Sequence, residues 1–169
     1  ATRELAEVRG VFPAWKESVF YPHEPRRNAT VNSIAPTGTI SVLADTTNSI
    51  EPFFALAFER RNVLEKEVLD SVNPKVLEYL QDKGLLSEKV IKEIHDKGSC
   101  ALCDELDNKT KLLLRTAIEI EPHWHLKHQA AFQKFTDNAV SKTINLPSSV
   151  SEEEVDEIFR KAWTLGLKG

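Results

Sequence analysis

The chain has 169 residues, 41% hydrophobic and 28% charged, the composition of about one soluble globular domain with a core of useful size. A net charge of -4 argues against nucleic-acid binding, which needs a clustered basic surface. No apolar run approaches the roughly 20 residues of a membrane span, and Ala1 to Gly10 lacks the apolar core of a signal peptide, so the expectation is a cytoplasmic protein without membrane or nucleic-acid partners.

Thr2 to Arg9 reads as a short helix closed by Gly10 and Pro13. Val11 to Arg27, with Pro13, Pro22 and Pro25, reads as irregular. Ala29 to Ile34 suits a short strand, Ala35 to Thr39 a turn, and Ile40 to Ala44 a helical turn behind it. Ile50 to Val63 contains the apolar stretch Phe53 to Phe58, which favours an extended buried segment. Pro74 opens a helix after Asn73, with Val76, Leu77 and Leu80 inward and Gly84 as its stop. Ser87 begins another, with Val90, Ile91 and Ile94 inward, ending near Gly98. Asp107 or Asn108 caps a third running to about Ala117, and Pro122 opens a long helix to about Ala139. Lys142 to Leu146 reads as a strand stopped by Pro147. Ser151 with Glu154 forms a capping box, and Val155, Ile158, Phe159, Ala162 and Trp163 then make one apolar stripe. The Glu152-Glu153-Glu154 run suits the positive end of that helix's dipole. The expected architecture is mostly helical, with about three short strands that lack evident hairpin partners nearby. Such strands suggest a sheet completed by further chain. The absence of methionine, even at position 1, points the same way, to an excised or truncated segment.

The stretch with most chemistry is Pro36-Thr37-Gly38-Thr39-Ile40-Ser41. A strand runs into a tight turn and then a helix, whose first amides are unsatisfied and sit at the positive end of the dipole. Gly38 allows a ligand close to the backbone, and Thr37, Thr39 and Ser41 add hydroxyls, so the turn suits a phosphate. No lysine follows the glycine, so it is not the P-loop of nucleotide hydrolases. An ordinary capped helix start is the plainer alternative, since serine and threonine are common caps.

Three blocks resemble a known family. Arg27-Asn28-Ala29-Thr30, Ile34 to Ser41 and Ser49-Ile50-Glu51-Pro52-Phe53-Phe54-Ala55 form the first. Gln129 to Pro147 (QAAFQKFTDNAVSKTINLP) is the second, and Ala162-Trp163 with Leu165 to Gly169 the third. Together, in this order and spacing, they are similar to the catalytic subunit of ribonucleotide reductases, most of all the adenosylcobalamin-dependent (class II) branch. The resemblance implies an α/β fold in which residues 1–169 are one segment of a ten-stranded barrel, C-terminal and incomplete at both ends. It implies that Pro36, Thr37, Gly38, Thr39, Ile40 and Ser41 bind the phosphates of a ribonucleoside di- or triphosphate. It also implies adenosylcobalamin as cofactor of the complete enzyme, the remainder of the barrel as partner, and a possible homo-oligomer. Gly38 and Ile40 fit the class II turn better than the serine-rich turn of the diiron (class I) enzymes.

In the family a cysteine thiyl radical, a cysteine pair, an asparagine and a glutamate carry out the reduction. No Asn-x-Cys-x-Glu motif occurs here, so no catalytic residue is assigned, and the isolated segment is expected to be inactive. Cys100 and Cys103 fall at the wrong place for the redox pair and read as small semi-buried residues that serine could replace at little cost. His123, His125 and His128 could in principle join them around zinc, but the spacing matches no zinc knuckle, and no metal site is assigned. Two other readings stay open: a class I large-subunit fragment, and a non-catalytic nucleotide-phosphate-binding or assembly module.

Overall fold

The computed structural model describes residues 1–44, 46–63 and 67–169, and side chains outside 58–71. In chain order the elements are α1 (Thr2–Arg9), a 3-10 turn (Trp15–Glu17), α2 (Gly38–Ala44), β1 (Ala57–Val63), β2 (Glu67–Val72), α3 (Pro74–Asp82), α4 (Glu88–Lys97), α5 (Asn108–Leu113), a second 3-10 turn (Ala117–Glu119), α6 (Pro122–Gln133) and α7 (Glu152–Thr164). No helix among the described residues is long and apolar enough to cross a membrane.

Capping chemistry sets the helix starts. Asn73 Oδ1 accepts the Lys75 amide at 2.9 Å, with Pro74 in the first turn of α3. Ser87 Oγ accepts the Val90 amide at 3.1 Å, and Asp107 Oδ1 accepts the Thr110 amide at 2.8 Å. At α7 both halves of the box form: Ser151 Oγ accepts from the Glu154 amide, and Glu154 Oε2 from the Ser151 amide. Each such cap contributes about 1 kcal/mol. Gly98 ends α4 with φ 66°, a left-handed conformation, and a Cβ there would lie 3.4 Å from that of Ala55.

That close approach matters because residues 53–56 thread past α4. The Leu56 amide donates to the Gly98 carbonyl at 2.7 Å, the Asn73 amide to the Leu56 carbonyl at 2.8 Å, and the Ala117 amide to the Phe53 carbonyl at 2.8 Å. Around this thread lies the main apolar core, with Leu56, Val76, Leu80, Val90 and Ile94 at its centre. Cys100 and Cys103 complete it, fully buried where semi-burial was expected. Burial raises both thiol pKa values. Cys103 is pushed up to about 11, with Glu93 adding to the effect.

The expected strands need correction. β1 and β2 form an antiparallel hairpin, pairing Ala57 with Val72 and Arg60 with Leu69, so the extended segment does have a neighbouring partner. The expected burial of that segment from Phe58 on lies outside the described side chains. Ala29–Ile34 and Lys142–Leu146 are not regular strands; Ile34 makes a single parallel bridge with Val140. Two helices also end early. α6 stops at Gln133 because the chain beyond is captured: Thr136 Oγ1 donates to the Phe132 carbonyl, and Gln133 Nε2 donates to the Thr136 and Asn138 carbonyls. α5 stops at Leu113, short of Ala117, because Thr116 starts a new capped turn on Glu119.

α7 packs on α6, yet Phe159 is 70% exposed and Trp163 81%. Burying one such side chain contributes roughly 1.5–3 kcal/mol. The isolated chain is therefore expected to self-associate, and Phe159→Lys with Trp163→Lys to shift sedimentation toward monomer; a parent that stays monomeric at high concentration would refute this. The deep burial of the cysteines revises their expected tolerance. Serine at 100 and 103 should each cost about 1–3 kcal/mol by burying a poorly paired hydroxyl. Urea unfolding under reducing conditions measures it, and a loss below about 1 kcal/mol for the pair would mean that the sites take up serine freely.

Candidate functional site

The Pro36–Ser41 turn stands at the start of α2, a helix of seven residues. The Ser41 amide makes the first helical bond, to the Thr37 carbonyl at 3.0 Å. The amides of Gly38, Thr39 and Ile40 have no acceptor among the described residues. Pro36, Gly38, Thr39 and Ile40 are exposed, and a Cβ at Gly38 would meet nothing within 4 Å. The turn thus presents three unsatisfied amides to an open face.

Its hydroxyls are not equivalent. Ser41 Oγ donates to the Gly38 carbonyl at 2.7 Å, so it closes the helix's first turn and does not face outward as a donor. Thr37 Oγ1 accepts the Ser49 amide at 2.8 Å. Thr39 has no hydrogen-bond partner among the described residues, and its hydroxyl is the one best placed for a ligand. Thr37 takes φ 50°, a left-handed conformation uncommon for threonine.

The turn is anchored to the second sequence block through a seam. Asn32 Nδ2 donates to the Phe135 carbonyl at 2.9 Å, and Asn32 Oδ1 accepts the Asp137 amide at 2.7 Å. Asp137 Oδ2 accepts from the Val31 amide at 2.8 Å and from Arg26 at 3.3 Å. The Ile34 amide reaches the Ala139 carbonyl, and the Ser141 amide the Ile34 carbonyl. From α6, Gln129 Nε2 donates to the Val140 carbonyl at 2.9 Å. Further along, Glu51 pairs with Lys142 and accepts the Thr143 amide. Of these residues, Ser49, Glu51, Asp137 and Lys142 fall within the blocks quoted from the sequence, which gave them no role. For Glu51 the available signal was a lone charge in the otherwise apolar or small run Ser49 to Ala55; the others carry none, since residues 129–147 are rich in polar side chains.

Beside the Glu51–Lys142 pair lies a cleft of about 570 Å³, lined by Ile50, Pro52, Ile120, Trp124, His125 and His128 among others. His125 is 2% exposed, and its Nε2 donates to the Ala117 carbonyl at 3.1 Å. His123 instead faces Glu121, and His128 packs edge-on against Phe132. The structure therefore brings His125 and His128 to one cleft and turns His123 to Glu121. Among the described residues no three His, Cys, Asp or Glu side chains are grouped to hold a metal ion.

Desolvation holds the His125 pKa below its ordinary 6.5, and the nearby Lys142 charge adds to this. A histidine depressed in the folded state binds its proton better when unfolded. Its stabilising contribution is full above pH 6.5 and is lost as the pH falls through the lower folded-state value. His125→Gln should flatten that part of the profile. Urea midpoints for parent and variant across this range test it; parallel profiles would count against a neutral His125.

Comparison with known proteins identifies the family. The family described as ribonucleotide reductase, barrel domain, matches residues 22–169. The vitamin B12-dependent ribonucleoside-diphosphate reductase of Mycobacterium tuberculosis (strain CDC 1551 / Oshkosh) is 44% identical over 169 residues, covering 100% of this chain and 24% of that protein. The protein of the same description from Thermoplasma acidophilum is 42% identical over 170 residues, again across 100% of this chain and 22% of its own length. The solved Actinobacillus ureae class Id ribonucleotide reductase alpha subunit superposes with a TM-score of 0.73 at 30% identity, covering 99% of this chain and 29% of that one. The chain thus spans about a quarter of the length of these curated relatives. With a family match over most of its residues, full-length coverage by these relatives and a shared fold, the chain belongs to the ribonucleotide reductase barrel-domain family.

Proposed function

We propose that this segment is the substrate-phosphate-binding part of a vitamin B12-dependent ribonucleotide reductase, an oxidoreductase that converts ribonucleotides to deoxyribonucleotides. The observation that carries the reading is the Gly38–Ile40 turn: three amides without acceptors, an open face at Gly38 and an outward Thr39. A phosphate satisfies such amides and is favoured by the adjacent helix dipole. Pro36 and Thr37 shape the turn, Gly38, Thr39 and Ile40 supply amides, and Ser41 holds the first helical turn closed. In the complete protein, residues 29–34 and 142–146 become members of a ten-stranded α/β barrel whose other strands come from the rest of the chain.

The vitamin B12-dependent relatives at 42–44% identity favour this branch over the diiron one. The described residues do not themselves form a seat for adenosylcobalamin. Of the histidines on α6, His125 is engaged by the Ala117 carbonyl, His123 by Glu121, and His128 packs edge-on against Phe132. The cleft of about 570 Å³ is of the size that holds a drug-sized ligand, well short of a corrinoid. The cofactor is therefore assigned to the remainder of the enzyme. So is the radical chemistry, since both cysteines here are buried in the apolar core, where no substrate reaches them, and neither stands in an Asn-x-Cys-x-Glu motif. The segment alone accordingly supports no turnover.

The test is made in the full-length reductase. Gly38→Val places a side chain on the open face without meeting the fold, and should raise the nucleotide KM by about tenfold or more, equivalent to ~1.4 kcal/mol of lost binding. Thr39→Val removes only one hydroxyl bond to the phosphate and should act more mildly, raising KM by less than Gly38→Val does. Base preference should not move with either. A Gly38→Val enzyme with the parental KM would reduce the turn to a capped helix start.

A further inference from the structure

Glu51 is nine-tenths buried, and Lys142 is 1% exposed. Lys142 Nζ donates to one carboxylate oxygen of Glu51, and the Thr143 amide donates to the other at 2.5 Å. Lys142 Nζ also donates to the Thr143 carbonyl. Both charges and both carboxylate oxygens thus have fixed partners. A buried ion pair is a poor source of net stability, because the desolvation of two charges offsets most of their attraction. What this one supplies is a fixed geometry between residue 51 and the 142–143 backbone.

That geometry reaches the turn through a short strap. The Glu51 amide donates to the Asn48 carbonyl at 3.0 Å. Between them, the Ser49 amide donates to Thr37 Oγ1 at 2.8 Å, and Ser49 Oγ donates to the Ser141 carbonyl at 3.3 Å. Thr37 and Ser49 both sit at φ 50°. Residues with a Cβ hold that conformation when their surroundings impose it. The strap is imposed at one end by Thr37 and at the other by the Glu51–Lys142 pair.

We propose that the buried Glu51–Lys142 pair is a positioning device for the substrate phosphate. It clamps the Asn48–Glu51 strap to the Lys142–Thr143 backbone, and so holds Thr37 and the open amides of residues 38–40 in place. Glu51 and Lys142 are positioning residues that do not touch the substrate. The inference rests on the phosphate reading of the turn.

The experiment uses the full-length reductase and steady-state kinetics with its nucleotide substrate. Glu51→Gln combined with Lys142→Met removes both charges together, keeps the side-chain volumes close and leaves an acceptor for the Thr143 amide. This double variant is expected to raise KM about tenfold with kcat within about twofold of the parent, the pattern of lost substrate binding. Thr37→Val deletes the acceptor of the Ser49 amide, and its KM effect should not add to that of the double variant, although among the described residues no hydrogen bond joins residues 37 and 51 directly. Should the double variant fail to fold, Lys142→Arg keeps the charge but moves its donors, and should give the same split in milder form. A parental KM in the charge variants while Gly38→Val raises it would overturn the clamp and spare the phosphate reading, and strictly additive effects with Thr37→Val would do the same. A parental KM in Gly38→Val as well would end both.

Discussion

The structure depends on how two nearly parallel stretches, residues 30–34 and 135–141, satisfy each other's polar backbone. A parallel pair ordinarily does this with an evenly spaced ladder. Here one regular bridge, Ile34 with Val140, is supplemented by side chains that imitate backbone. Asn32 is both donor and acceptor to residues 135 and 137, and Asp137 accepts the Val31 amide. Arg26 brings the N-terminal region to the same carboxylate and stacks over Phe20 at 4.3 Å. Because these groups are specific in geometry, they set the register of the seam more tightly than apolar contact would. A one-residue slip would leave Asn32, Asp137 and their amides without partners.

The site and the apolar core occupy separate parts of the chain, and that division is informative. The core gathers Leu56, Leu80, Ile94 and the cysteines around the hairpin, α3 and α4. The turn and its supports lie outside it and are held by hydrogen bonds and an ion pair. Apolar packing tolerates repacking by similar volumes, whereas a network of directed bonds admits few arrangements. On the phosphate reading proposed above, a turn that offers amides to a charged group at a fixed place is better held by the second kind of contact. The segment between Pro52 and Leu56 joins the two regions, since the backbone that follows Glu51 runs straight into the core.

The helices were legible because their signals are local. Ser87, Asp107, Asn73 and the Ser151–Glu154 box each mark a start within three residues, and Gly98 marks an end by its left-handed φ. The early ends of α5 and α6 were not legible, because what stops them is a competing partner: Gln133 and Thr136 fold the chain back at the end of α6, with distant Asn32 holding residues 135 and 137, and Glu119 takes Thr116. The hairpin escaped because β2, Glu67–Val72, mixes charge with apolar residues and carries no turn signature of its own. Residues 29–34 and 142–146 had strand-like composition, but composition does not say whether a ladder partner is present. At the turn, residue types alone put three hydroxyls outward. Only the fold shows that Ser41 is turned onto Gly38 and that Thr37 is taken by Ser49.

Exposure gives the last step. Ile40, Val42 and Leu43 on α2, and Phe159 and Trp163 on α7, are large apolar side chains left mostly in water. They lie on two elements outside the main core, one directly behind the Pro36–Ser41 turn and the other packed on α6. Patches of this kind mark surfaces that meet other protein. On the reading proposed above, the rest of the barrel covers them, and covering α2 would also fix the helix whose first amides receive the phosphate. The turn would then be held from three sides: by the strap through Thr37, by the seam through Ile34, and by barrel packing against α2. The isolated segment supplies the first two in full, which is why the turn is already formed here while the apolar face behind it remains open.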